Sequence, residues 1–371
     1  MATKTTEAAL LTTYGGDLQV TDIPLPDPDP GSLLVEIDTT TVCGSDVHLW
    51  QGAYAAPGGP ATPLVPGHEA VGTVIGIGDG GEVDSVGTPI RIGDRVIWEH
   101  AACGRCRFCT VLREPTLCPH RQIGMFTTAT TYPYAVGTFA RHAYVWPRAG
   151  RLVVPEGVRS DVAAGASCAL RTAVAAFERL RPIGSDSTVV VQGSGPLGLF
   201  ATALAAWHRP RKLIVVGGPA ERLDLAAAWG ATDTLSVFDV PDAAERLQVV
   251  QDLTDGGPDT VLEMSGARTA FAEGLEIAGR GAQYAVVGTL GVAPSEVLAG
   301  RIAGKGLTIS GVLGGDIGTY HRALQFMSRS RGVFDWSAMY TGDEHTLAQA
   351  TDALRLAQSG QSIKPVIRPN A

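Results

Sequence analysis

A thiol, a hydroxyl, a carboxylate and an imidazole fall within six residues, at Cys43, Ser45, Asp46 and His48. Three of those four groups would need polar partners if buried, so packing alone does not explain the cluster. His68 and Glu69 follow in a Pro66-Gly67 turn, and Cys168 stands far downstream in Ala166-Ser-Cys-Ala-Leu170. Two thiolates and one imidazole can hold a zinc ion whose fourth position stays open for chemistry. Such a centre is electrically neutral, and it lowers the pKa of a bound hydroxyl toward the value of about 7 seen for zinc-bound water. Each residue alone has a blander reading: a small buried thiol for Cys43 and Cys168, a turn histidine for His68. The combination carries the metal reading.

A second cysteine set is denser. Cys103, Cys106 and Cys109 are spaced by two residues, and Cys118 follows after eight more. Four thiolates close a tetrahedral zinc completely, so this reads as a structural site. Four free thiols in one loop would instead be an oxidation hazard. Six cysteines in a 371-residue chain could pair as disulfides, but that pattern belongs to small exported chains.

The third signature is Gly193-Ser-Gly195-Pro196-Leu197-Gly198. A buried strand is expected before it, at 188–192, and a helix after it, at 197–207. In that context Gly193 permits the tight turn, Gly195 admits a pyrophosphate, and Gly198 lets helix and strand pack closely. The helix N-terminus offers free N–H groups to the phosphates. An acid to hold a ribose 2′-OH is missing, because the next strand ends in Gly217. Gly217 is expected to leave room for a 2′-phosphate, with Arg222 as its cation, which favours NADP over NAD modestly.

Elements that position these residues follow from periodicity. Short alternating runs at 32–38, 70–77 and 95–98, broken by Gly and Pro, predict a β-rich module up to about residue 153. Loops are expected at 23–31, 55–63 and 78–87. From residue 162 onward helices alternate with apolar strands, which predicts a parallel sheet with helices on both faces. Strands are expected at 188–192, 212–216, 260–264, 283–287 and 307–310. The C-terminal segment, with helices at 320–328 and 347–357 and a strand at 363–367, is expected to return to the first module.

Bulk composition excludes several functions. A net charge of −8, with no Lys/Arg-rich run, argues against a nucleic-acid partner. No apolar run reaches the length of a membrane span, and the first eleven residues lack an export pattern. A cytoplasmic location is expected.

Taken together, Cys43-Gly-Ser-Asp-Val-His48, Gly67-His-Glu69, the four-cysteine lobe, Cys168 with Thr172, and Gly193–Gly198 resemble the zinc-containing medium-chain dehydrogenases. These are the alcohol, polyol and threonine dehydrogenase group, and the likeness runs over essentially the whole chain. The resemblance implies an α/β chain with two domains. A GroES-like β-barrel catalytic domain would span 1–170 and 314–371, with the structural-zinc lobe at 99–119, and a Rossmann NAD(P)-binding domain, a doubly wound parallel sheet, would span 171–313. It implies catalytic zinc on Cys43, His68 and Cys168 with Glu69 close behind, and structural zinc on Cys103, Cys106, Cys109 and Cys118. Asp46 would orient His68, and Ser45 and His48 would relay the substrate's proton. Thr172 would lie against the nicotinamide and Lys364 would reach the pyrophosphate. The implied activity is reversible hydride transfer between an alcohol and NAD(P), by a homodimer or homotetramer.

Three positions depart from the family pattern. The lobe is one residue longer than usual before Cys118, Gly44 stands where some members carry arginine, and Gly217 replaces the usual acid. Trp50, Tyr54, Trp98, Tyr132 and Tyr134 suggest aromatic pocket walls suited to a bulky or cyclic alcohol. His100, near Cys103, could line the same pocket. Zinc-free quinone or enoyl reductases share the fold but lack the ligand set, and a non-enzymatic cofactor-binding protein would not retain Ser45, His48 and Glu69.

Overall fold

The computed structural model describes residues 4–288, 294–340 and 344–371. Residues 1–3 of the stretch read for an export signal lie outside it. The chain divides into two compact units: 1–168, 316–331 and 335–371 in one, 169–315 and 332–334 in the other.

The first unit is built on two long strands, Leu33–Thr41 and Glu69–Ile77, paired antiparallel. Their register sets Thr41 opposite Glu69. The chain leaving the first strand at Val42-Cys43 therefore emerges beside the chain entering the second at Gly67-His68. The pairing slips between Leu34 and Val35 and between Ile37 and Thr39, as bulges do in barrel-like sheets. Arg95–Trp98 and Arg151–Val153 extend the sheet on one side, and Val366–Arg368 and Glu344–Thr346 on the other. His142–Val145 also pairs with Leu33–Thr41. Two apolar clusters pack this unit, one around Leu49, Leu64, Phe139 and Ile367, the other around Leu33, Val74, Val96 and Tyr144.

The second unit holds a six-stranded sheet whose neighbours are all parallel. Across the sheet the strands run Asp233–Ser236, Lys212–Gly217, Thr188–Gln192, Thr260–Glu263, Gln283–Val286, Thr308–Gly311. In chain order that is 3-2-1-4-5-6, the doubly wound arrangement with its switch point beside the first strand. Val189, Val190 and Val191 are wholly buried, as strands covered on both faces must be. The alternation expected from the sequence is thus present. The edge strand Asp233–Ser236, with only Leu235 buried, and the helix Gly300–Lys305, with no buried residue, were not expected.

The helical stretch that begins near residue 162 is not uniform. Ser160–Gly165 is α-helical, Ala166–Leu170 forms a π-helical turn, and Arg171–Glu178 resumes the α-helix. A π turn inserts one extra residue and re-aims the side chains within it. No helix among the described residues is long and apolar enough to cross a membrane.

Candidate active site and metal centres

Cys43 has extended backbone just before the helix Gly44–Trp50. His68 follows Gly67, whose φ of 91° belongs to glycine; a Cβ there would strike the Phe139 ring at 2.4 Å. Cys168 sits in the π turn. The ligand atoms of Cys43, His68, Glu69 and Cys168 all lie within 4.8 Å of one another.

One carboxylate ties the two loops together. Asp46, wholly buried, accepts from Cys43 N at 2.9 Å through Oδ2. Its Oδ1 accepts from Gly67 N at 3.0 Å and faces His68 Nδ1 at 3.1 Å. With Nδ1 so engaged, the other ring nitrogen is the one presented to the cluster.

Two of the four groups favour their protonated forms. A hydrogen bond donated to Cys168, then burial and the nearby charges, push the Cys43 thiol well up. At His68, burial opposes the charged form, but the charge and hydrogen bond of Asp46 outweigh it and raise the imidazole. A divalent cation displaces such protons on binding.

Glu69 is wholly buried. Burial raises its pKa, but the Lys364 ammonium outweighs that and holds the carboxyl below its usual range. Thr41 Oγ1 donates to Glu69 Oε2 at 2.5 Å, and Lys364 Nζ pairs with the same oxygen. Oε1 is buried with no hydrogen-bond partner among the described residues. An acceptor left open beside two thiols and an imidazole fits a bound cation, and the donor set is one that zinc takes.

Lys364, expected to reach the cofactor's pyrophosphate, is 1% exposed and paired to Glu69. The cause is local: Val366 pairs with Thr41, and Val42 N donates to Pro365 O, so Lys364 is carried alongside the Thr41–Glu69 strand pair. A buried carboxylate needs a cation there.

Ser45 is half-buried and His48 exposed on the same short helix. The Tyr54 hydroxyl is hydrogen-bonded to Ser45, and its ring packs on Phe126 with centroids 5.0 Å apart. Burial, and the thiols of Cys43 and Cys168 among other neighbours, raise the Tyr54 phenol, so it stays protonated. His100 stands with its ring 6.2 Å from that of His68. The other expected pocket aromatics are committed elsewhere. Trp50 donates to Gly16 O at 2.6 Å from within the core, Trp98 packs on the second apolar cluster, and Tyr132 donates to Asp29 at 2.6 Å and meets Tyr134 edge-on. Phe126 and Tyr340, a buried tyrosine under the influence of Glu69, were missed because no local motif marks them.

In the lobe, Cys103, Cys106, Cys109 and Cys118 also bring their sulfurs within 4.8 Å of one another. Cys106 Sγ lies 3.5 Å from Cys109 Sγ and 3.8 Å from Cys118 Sγ. A tetrahedral zinc with bonds of about 2.3 Å sets its sulfurs about 3.8 Å apart, whereas a disulfide needs about 2.05 Å. All six cysteines are free.

At the glycine-rich turn, Gly193 has φ of 109°, and a Cβ there would meet Ser265 at 2.8 Å. A Cβ on Gly198 would fall 1.9 Å from Gly193 O, while beside Gly195 the space is open. Pro196 opens the helix Pro196–Trp207, where its missing N–H costs nothing. Leu197 follows it, half-buried. Thr172 is half-buried in the helix Arg171–Glu178, and Arg222 is half-buried in Ala220–Ala228. At Gly217 a Cβ would meet Ser194 Oγ at 2.5 Å and Ser194 N at 2.8 Å, so a side chain there would force Ser194 to shift. Ser194 Oγ bridges the backbone of Gly218, accepting from its N at 2.8 Å and donating to its O at 2.9 Å.

Comparison with known proteins agrees with this geometry. Residues 29–156 match the alcohol dehydrogenase GroES-like domain, and 196–329 match the zinc-binding dehydrogenase domain. A 5-exo-hydroxycamphor dehydrogenase of Pseudomonas putida is 33% identical over 350 residues, 93% of this chain and 94% of that protein. The chain belongs to the zinc-containing medium-chain dehydrogenases. An L-threonine 3-dehydrogenase of Bacillus subtilis is 30% identical over 354 residues, 94% of each chain. A solved alcohol dehydrogenase of Thermotoga maritima superposes with a TM-score of 0.91 at 32% identity, covering 99% of this chain and 100% of its own. As a member of this family the protein is an oxidoreductase that acts on CH–OH groups with a nicotinamide cofactor, on a GroES-like and Rossmann framework.

Proposed function

We propose that this dehydrogenase oxidises a secondary, cyclic or otherwise bulky alcohol to its ketone, reversibly. The observation that carries the reading is the convergence of Cys43, His68, Cys168 and Glu69, with Ser45 and Tyr54 beside them. Cys43, His68 and Cys168 would hold a zinc ion, which would supply a Lewis acid for the alcohol oxygen, with a bound nicotinamide as the hydride acceptor. The chain's own residues do the rest. Asp46 fixes the ligand loops, Glu69 stays charged behind them, and Ser45 accepts the substrate's proton. Tyr54 and Phe126 offer an aromatic wall, and the hydroxycamphor specificity named for the Pseudomonas relative fits a rigid alicyclic substrate.

NADP is favoured because the strand Lys212–Gly217 ends without a carboxylate and Arg222 follows within the next helix. Since a side chain at Gly217 would force Ser194 to shift, Gly217→Asp is expected to disturb the phosphate turn and weaken both cofactors, rather than switch preference to NAD. Titrating NADH and NADPH against that variant checks this. The dinucleotide would be bound by 171–313, and the protein would act as a homodimer or homotetramer in the cytoplasm, where its thiols stay reduced.

The test is turnover of an alcohol panel with both cofactors, read by nicotinamide absorbance. Alicyclic secondary alcohols are expected to exceed short linear ones by about tenfold or more in kcat/KM. No reduction of either cofactor by any alcohol would end the reading.

Two separate clusters imply two zinc ions per chain. Cys106→Ser is expected to lose one of them and to lower Tm by at least about 5 °C, since structural zinc is coupled to folding. Elemental analysis and calorimetry check both.

A further inference from the structure

Glu263 ends the strand Thr260–Glu263 and is wholly buried, although no motif singles it out. A buried carboxylate is costly unless several donors hold it. Here three do: Oε1 accepts from Ser265 N at 2.9 Å, Ser265 Oγ at 2.7 Å and Gly266 N at 2.8 Å. The Glu263 main-chain oxygen accepts from Val287 N and Gly288 N, each at 3.0 Å. One residue thus fixes its own turn with its side chain and the end of the neighbouring strand with its backbone.

That turn abuts the phosphate-binding loop. Gly193 and Ser265 approach so closely that a Cβ on Gly193 would come within 2.8 Å of Ser265 Cα and 2.9 Å of its N. Gly266 has φ of 67°, and a Cβ on Gly288 would come within 2.4 Å of Gly266 N. Three strand ends therefore meet with no side chain between them, and a shift of the Ser265 turn is passed directly to Gly193. Ser265 Oγ, donating to Glu263 and accepting from Ala267 N at 3.0 Å, is committed to holding the turn.

We propose that Glu263 is a positioning residue for the dinucleotide, its carboxylate fixing the Ser265–Gly266 turn against which Gly193 closes. This rests on the reading of Gly193–Gly198 as the cofactor loop. The residue acts through the turn and touches no reacting atom, so its loss should appear in cofactor affinity and spare the alcohol site.

The experiment titrates wild type, Glu263→Ala and Glu263→Gln with NADH and NADPH by nicotinamide fluorescence, alongside zinc content and alcohol KM at saturating cofactor. Glu263→Ala is expected to raise Kd for the preferred cofactor about tenfold, the scale of losing hydrogen bonds to a charged acceptor, with zinc content and alcohol KM unchanged. Glu263→Gln keeps an acceptor oxygen and is expected to restore Kd to within about threefold of wild type. A general structural role would lower Tm and move both substrates' constants together. If Glu263→Ala does not fold, Glu263→Asp, one methylene short of the turn, is expected to show the same rise in Kd. A folded Ala or Asp variant with wild-type cofactor affinity overturns the proposal. Wild-type protein that binds neither reduced cofactor would instead overturn the functional reading beneath it.

Discussion

Replacing Cys43 with serine is expected to lower kcat by at least about a thousandfold, the scale of removing a unit of the catalytic apparatus. The fold is expected to survive the change. Cys43 occupies the position before the helix Gly44–Trp50, where serine is among the preferred residues, so the helix is supported, not weakened. What is lost is a thiolate donor. A neutral hydroxyl binds zinc poorly, and the remaining His68, Cys168 and Glu69 supply one charge fewer. The expected protein is folded, with Tm within about 2 °C of wild type, and keeps only the zinc of the Cys103–Cys118 lobe. Elemental analysis and a melting curve on the same preparation separate this outcome from simple unfolding. A variant that keeps both metals and turns over normally would remove Cys43 from the catalytic site.

Ser45→Ala is expected to lower kcat about a hundredfold, the scale of a lost acid–base step. The substrate's proton needs a group that can accept and donate at once, and a hydroxyl does both. Ser45 is half-buried at the cluster, while His48 lies one turn along the same helix, exposed to water. Tyr54, protonated and bonded to Ser45, limits the orientations open to that hydroxyl. His48→Gln should have a milder effect, partly relieved by imidazole buffer. The contrary view is that Ser45 merely serves the helix start. An alanine variant with full zinc and near-normal kcat across the pH range would decide for that view.

Elements with a buried apolar face were legible in the sequence, because burial imposes periodicity. Thr188–Gln192 and Arg95–Trp98 lie where alternation or an apolar run placed strands. Asp233–Ser236, with only Leu235 fully buried, and Glu344–Thr346, with no buried residue, leave no such trace. They are strands because a neighbour's backbone pairs with them. The donor types of both cysteine clusters were legible for a similar reason, since metal chemistry restricts residue type and spacing. The partner of Lys364 was not. It depends on Val366 pairing with Thr41, a register between segments more than three hundred residues apart. The close approach of Ser194 to Gly217 is likewise a contact between two strand ends, invisible to either motif alone.

The clamp formed by Asp46 has a consequence for how the protein acquires metal. Its two oxygens hold the Cys43 amide, the Gly67 amide and the His68 ring through protein contacts alone. The ligand loops therefore keep their mutual placement when the ion is stripped, and reloading requires no search by the chain. Zinc uptake by chelator-treated protein should follow a single phase that is first order in metal and not limited by loop closure. Asp46→Ala should add a slow, metal-independent phase to that uptake. The same carboxylate then governs two timescales, the standing geometry of the site and the rate at which an emptied site is refilled.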